Sequence, residues 1–125
     1  EGGRMAKNME ISFLFDFYGD MLTDKQRDMV ELYYNDDLSL SEIAENEGIT
    51  RQGVRDSIKR AEAQLLEMED RLGLARRFRE MREGFEAIRL AARDIQELNG
   101  RYGYSREIDD RVRAILDLSE KLNAV

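Results

Sequence analysis

Apolar residues recur along the chain at helical spacing, and polar breakers divide them into six stretches. Ile11, Leu14, Phe15, Tyr18 and Leu22 predict a first helix over about 8–20, loosened at its end by Gly19 and Asp20. Thr23 with Gln26 three residues on is a capping box, opening a second helix that runs to about Asn35. Its inner face is expected to carry Met29, Val30, Leu32 and Tyr33. Ser39 with Glu42 is a second capping box and opens a short helix over about 40–46. Thr50 caps a longer helix over about 51–71, where Val54, Ile58, Ala61, Leu65, Met68 and Leu72 alternate by four and three. After Gly73 the same alternation resumes in Leu74, Phe78, Met81, Phe85, Ile88, Ala92 and Ile95, up to a stop expected at Asn99-Gly100. Ser105 caps a last helix with Ile108, Val112, Ile115 and Leu122.

Two adjacent helices with heptad seams suggest an antiparallel hairpin. The same seam, in part, could instead face a partner in a coiled-coil dimer. The organisation read from this pattern is all-α. Residues 1–7 form a disordered or tag-like terminus, 8–72 a helix-turn-helix domain, and 73–125 a C-terminal helical hairpin that could dimerise. Within the terminus, Glu1 to Arg4 read as an expression leftover or a frayed end, with Met5 as the native start.

The stretch from Glu42 to Val54 carries the most information. A helix-turn-helix needs a small residue where its second helix packs on the first, and Ala44 supplies it. It needs a residue that tolerates positive φ in the turn, and Gly48 stands four positions on. It needs apolar anchors on both sides: Ile43, Ile49, Val54 and Ile58. Glu47 departs from this pattern, because the position before the turn glycine is commonly apolar. With Val54, Ile58 and Ala61 inward, Arg51, Gln52, Arg55, Asp56 and Lys59 are left to face out. Arginine can bridge guanine or a phosphate and glutamine can pair with adenine, so Arg51, Gln52, Arg55, Lys59 and Arg60 are the candidate nucleic-acid contacts. Asp56 on the same face repels phosphate, and a protein-docking or merely solvated face is the other reading. Gly53 would let a backbone approach closely.

Charge sharpens this. The chain of 125 residues carries a net −7, which argues against general nucleic-acid binding. Residues 51–60 nevertheless hold four bases against one acid, a basic island in acidic surroundings. Phe13, Phe15, Phe17 and Tyr18 form an aromatic cluster, read first as core and alternatively as a partner patch. Asp36-Asp37 is turn chemistry rather than a cation site. There is no histidine and no cysteine, so the commonest general base, the thiol nucleophile and thiolate metal ligation are all missing. No enzyme activity, cofactor or metal is expected. The absence of cysteine suits a reducing cytoplasm, and no apolar run approaches the roughly 20 residues that span a membrane.

The blocks Leu22 to Arg27, Leu38 to Ala44 and Ile49 to Val54 resemble the promoter-reading last region of bacterial sigma factors. Phe13 to Tyr18, Leu32 to Leu40 and Ser57 to Glu62 are similar to one small family, YlxM or p13-like, over about residues 10–80. Glu47 and Gly53 depart from the sigma-like pattern. The resemblance implies a wingless, sigma-region-like helix-turn-helix in a bacterial cytoplasmic regulatory protein without catalytic residues. It also implies a part in the signal recognition particle pathway. The expected partners are therefore DNA or the RNA of that particle, the particle's protein or its receptor, and a second copy in a homodimer.

Overall fold

The computed structural model describes residues 7–124. The expectations for residues 1–6 lie outside the described residues. Six α-helices follow one another: α1 (Met9–Tyr18), α2 (Asp24–Tyr34), α3 (Leu40–Glu47), α4 (Arg51–Leu72), α5 (Leu74–Arg101) and α6 (Arg106–Asn123), with a 3-10 turn at Gly19–Met21 between the first two. No strand occurs among the described residues, so the chain is all-α.

Local chemistry sets these boundaries. The Thr23 and Ser39 hydroxyls accept from the Gln26 and Glu42 backbone N–H groups, and both acidic or amide partners reach back to the cap, completing two capping boxes. Each box satisfies two of the N–H groups that a helix start leaves open. Gly48 and Gly73 close α3 and α4 at φ 69° and 63°, a left-handed conformation that glycine adopts without a Cβ penalty. Asn99-Gly100 does not stop α5, which runs on to Arg101. The buried Asn99 side chain instead accepts from the Ser105 N–H and donates to the Ser105 carbonyl, both at 2.9 Å, clipping the loop from its base. Asp37, at φ 58°, pairs with Lys7, so the Asp36-Asp37 turn is tied to the chain's start and Lys7 lies against the Tyr33 ring.

Two compact units follow, one reaching Ala75 and one from Arg76 onward. In the first, α1, α2 and α3 all pack on α4. One end of α4 gives Val54 and Ile58 to a cluster with Met29, Tyr33, Leu40, Ile43 and Ala44. The other gives Ala61 and Leu65 to a cluster with Ile11, Leu14, Phe15, Tyr18, Leu22 and Val30. Phe13 and Phe17 pack edge to face, ring centroids 5.2 Å apart, against that second cluster, so the aromatic group belongs to the core. Leu72, expected to continue the α4 stripe, is exposed. The reason lies in the next turn: Ala75 is fully buried and fills the end of the core in its place. Tyr18 fastens that turn. Its hydroxyl donates to Glu69 Oε1 at 2.7 Å and accepts from the Leu74 N–H, while the same carboxylate oxygen accepts from Ala75 N–H. Burial, together with the Glu69 carboxylate, pushes the Tyr18 hydroxyl above its usual pKa.

In the second unit α5 and α6 are antiparallel. The Gln96 side chain reaches Asp109 near the loop, Phe85 shares a groove with Leu116 and Ser119, and Phe78, Met81 and Leu122 line one small cleft at the far end. Asp109 is held by Arg113 Nε at 2.7 Å, which keeps its carboxyl below the ordinary range. Only part of the expected seam is covered. Ala92 and Val112 are buried and Phe78 and Phe85 half-buried, but Met81, Ile88 and Ile95 on α5, and Ile108, Ile115 and Leu122 on α6, are exposed.

Tyr18→Phe keeps the ring's packing and removes both hydrogen bonds at the α4–α5 turn. The expected loss is about 1–3 kcal/mol, because a buried acceptor and donor lose a partner. The midpoint of urea unfolding, followed by circular dichroism, measures it.

Candidate nucleic-acid interface

The candidate site is the outer face of α4, and its aim depends on the turn that joins α4 to α3. Gly48 N–H and Ile49 N–H both bond to the Ala44 carbonyl, a tight left-handed closure that turns the chain between the two helices. Ile43, Ala44, Val54 and Ile58 are buried in one cluster, which fixes the crossing. Ile49 is the exception among the expected anchors. It is 36% exposed, because a residue directly after a left-handed cap has no helix face to place it inward. Glu47, at the departing position, is only partly exposed, and its carboxylate accepts from the Asn46 side chain at 3.4 Å.

Thr50 starts α4 by accepting from the Gly53 N–H at 3.0 Å. A Cβ at Gly53 would lie 3.1 Å from that same hydroxyl oxygen. Gly53 therefore makes room for the cap, whereas the sequence suggested room for an approaching backbone. The box at Ser39 has an electrostatic side: hydrogen bonds from Ser39 hold the Glu42 carboxyl below its ordinary range. With the folded value lowered, the cap is intact above the usual carboxylate pKa and is lost as pH falls through that lowered value.

Residues along α4 turn by about 100° each, which decides what shares a face. Opposite the buried Val54–Ile58–Ala61–Leu65 stripe lie Gln52, Asp56 and Lys59, with Arg55 on one flank beside Arg51. Arg60 is on the other flank, about 140° around the axis from Arg55. The five residues singled out from the sequence thus form a face of four and an outlier. The face is also occupied internally. Gln52 Nε2 donates to Asp56 Oδ1 at 2.9 Å, and Lys59 lies 3.7 Å from Glu62. Glu62 in turn accepts from the Tyr34 hydroxyl, whose pKa burial and this carboxylate drive upward. The Gln52–Asp56 pair was legible as an i, i+4 spacing on a helix.

Charge balance is the second feature that the focus on residues 51–60 hid. Helix α3 carries Glu42, Glu45 and Glu47 and no base. Across residues 39–60 four acids offset four bases, so the helix-turn-helix as a whole is neutral.

Comparison with known proteins fits this geometry. The pattern of the family described as "Putative helix-turn-helix protein, YlxM / p13 like" matches residues 5–101. The chain belongs to that family. YlxM of Bacillus subtilis (strain 168) is 37% identical over 119 residues, covering 95% of this chain and 98% of that protein. A relative from Geobacillus kaustophilus is 40% identical over 114 residues, 91% of this chain and 98% of its own. One from Thermoanaerobacter sp. (strain X514) is 44% identical over 107 residues, 80% of this chain and 92% of its own. The family is one of helix-turn-helix proteins and not an enzyme family. Among the described residues no helix is long and apolar enough to cross a membrane, and no three acidic side chains gather as a metal site.

Ile58→Ala removes a fully buried side chain from the cluster that sets the α3–α4 crossing. The expected cost is about 2–5 kcal/mol. Denaturant unfolding of the full chain measures it, and a cost under about 1 kcal/mol would mean that Ile58 does not fix the crossing.

Proposed function

We propose that this is a non-enzymatic, cytoplasmic regulatory protein that contacts nucleic acid through the outer face of α4, with Arg51, Gln52, Arg55 and Lys59 as the principal contacts and Arg60 at the margin. The observation that carries the reading is the helix-turn-helix itself: a buried stripe turns one face of α4 toward solvent, and that face bears the first unit's cluster of bases. The neutral charge of the motif predicts modest affinity made by few phosphate contacts. Duplex DNA is one target. The RNA of the signal recognition particle, suggested by the family resemblance, is the other, and RNA is read more through loops and stacking than by a helix in a major groove. A second copy of the chain as partner in a homodimer is part of the proposal, since paired helix-turn-helix units read paired half-sites.

The second reading is protein docking: α4 would meet an acidic surface of the signal recognition particle's protein or its receptor, without nucleic acid. The Gln52–Asp56 bond favours it, because it engages the face's one amide away from a base edge.

Fluorescence anisotropy with labelled duplex DNA and with the particle's RNA, at two salt concentrations, separates the two. On the nucleic-acid reading, binding falls steeply with salt, and Arg51→Glu with Arg55→Glu abolishes it. Removing two phosphate contacts alone lowers the slope of log affinity against log salt by about 2. Binding that ignores both salt and these substitutions, or no binding to either probe, refutes that reading and leaves protein docking.

A further inference from the structure

Asp56 stands where a face made for phosphate should carry a base. At about 100° per residue, it points almost directly away from the buried stripe of Val54, Ile58, Ala61 and Leu65. Arg51 and Arg55 lie to one side of it and Arg60 to the other. Lys59, the cation nearest the middle, lies 3.7 Å from Glu62, which offsets its charge. The face thus has arginines at its edges and a carboxylate near its centre. A surface for phosphate alone would be arranged the other way, because a carboxylate repels the backbone it approaches. A helix laid in a groove of duplex DNA needs the order seen here, since phosphates line the walls of the groove and base edges form its floor.

The carboxylate is held in place without being neutralised. Its partner among the described residues is the Gln52 amide, whose Nε2 donates to Oδ1 at 2.9 Å. Arg60 stands four residues on, the spacing and order at which an acid and a base pair on a helix, yet it is not bonded to Asp56. The bond uses one N–H of the amide and one acceptor site of the carboxylate. An ionised carboxylate has about four such sites, so Asp56 still accepts, and it has nothing to donate. Gln52, turned aside by this bond, is the support of the group it turns toward.

We infer that Asp56 is the specificity-determining residue of the α4 face, reading the N4 amino group of a cytosine in the major groove of duplex DNA, with Gln52 as its positioning residue. The inference rests on the nucleic-acid reading above and narrows it to DNA, because the major groove of an RNA helix is too deep and narrow for side chains to read. The base follows from what each one presents to a group that can only accept. Guanine offers two acceptors, N7 and O6, and repels it. Thymine offers an acceptor and a methyl group. Adenine offers its N6 amino group beside the N7 acceptor, which would face the second carboxylate oxygen. Cytosine offers an amino group alone. The arginines supply phosphate contacts that set the register of the helix and carry no sequence information. Asp56 therefore lowers affinity for DNA in general and raises selectivity at one position.

Selection from a random pool of duplex DNA, with sequencing of the retained duplexes, tests this on the full chain and on its Asp56→Asn variant. Asparagine keeps an acceptor for Gln52 and gains the donor that pairs with adenine N7. The wild-type pool should converge on sites with cytosine at one position. Asp56→Asn should shift that position to adenine and leave the others unchanged. In anisotropy, replacing that C·G pair by A·T should weaken wild-type binding about 10-fold, and the variant should prefer the two sites in the reverse order. Retained duplexes without a common sequence, or without cytosine at the position that responds to Asp56, overturn the inference and leave the nucleic-acid reading standing. So does a variant that binds every duplex more tightly by the same factor, since Asp56 then only repels phosphate. Failure of both proteins to retain any duplex at low salt refutes the DNA reading itself, and the inference with it.

Discussion

One helix face decides most of this protein: the stripe Val54, Ile58, Ala61, Leu65, each side chain fully buried. The stripe serves two clusters in series, so α4 is the member on which α1, α2 and α3 all rest. With the stripe inward, every other residue of α4 has its direction assigned by rotation about the axis. Which side chains can read a ligand is thus a consequence of the core. Arg55 and Lys59 share the outer face because they stand four apart, and Arg60 leaves it because it stands five from Arg55. Position in a basic run is a weaker guide than angle.

Geometry and electrostatics pull apart at the helix-turn-helix. The turn closes as the motif requires, with a left-handed Gly48 and a buried Ala44. Yet α3, which in such motifs crosses the nucleic-acid backbone, holds three glutamates and no base. Phosphate attraction then depends on few cations, and Asp56 draws Gln52 sideways within the same face. On the proposed nucleic-acid reading, selectivity rests on what α4 meets rather than on a long-range field.

Caps and breakers were legible in the sequence because their physics is local. Thr23–Gln26, Ser39–Glu42, Gly48 and Gly73 each act within four residues, and each stands where the pattern placed it. Asn99-Gly100 misled for the complementary reason. Asparagine before glycine is a local stop signal, but here the amide is used across the loop, to Ser105, and the helix continues through the glycine. Ile49 and Leu72 misled because an apolar residue at the end of a stripe looks the same whether or not something lies beyond it. At the candidate site, residue types and the local spacings of Gln52–Asp56 and Lys59–Glu62 were readable, while the bond from Tyr34 to Glu62, which joins α2 to α4, needed the fold.

The two units put the same heptad alternation to different uses, and the difference is one of neighbours. In the first unit α4 has three helices around it, enough to cover a stripe wider than a single row. In the second, each helix has one neighbour, and one neighbour covers one row. The sequence of α5 and α6 supplies two rows all the same, in the same rotational sense on both. A second row has no use in a solitary hairpin, where it exposes isoleucine and methionine to water at a cost in solubility. One neighbour leaves that second row to solvent, which is the physical reason the two units bury the same alternation to such different extents.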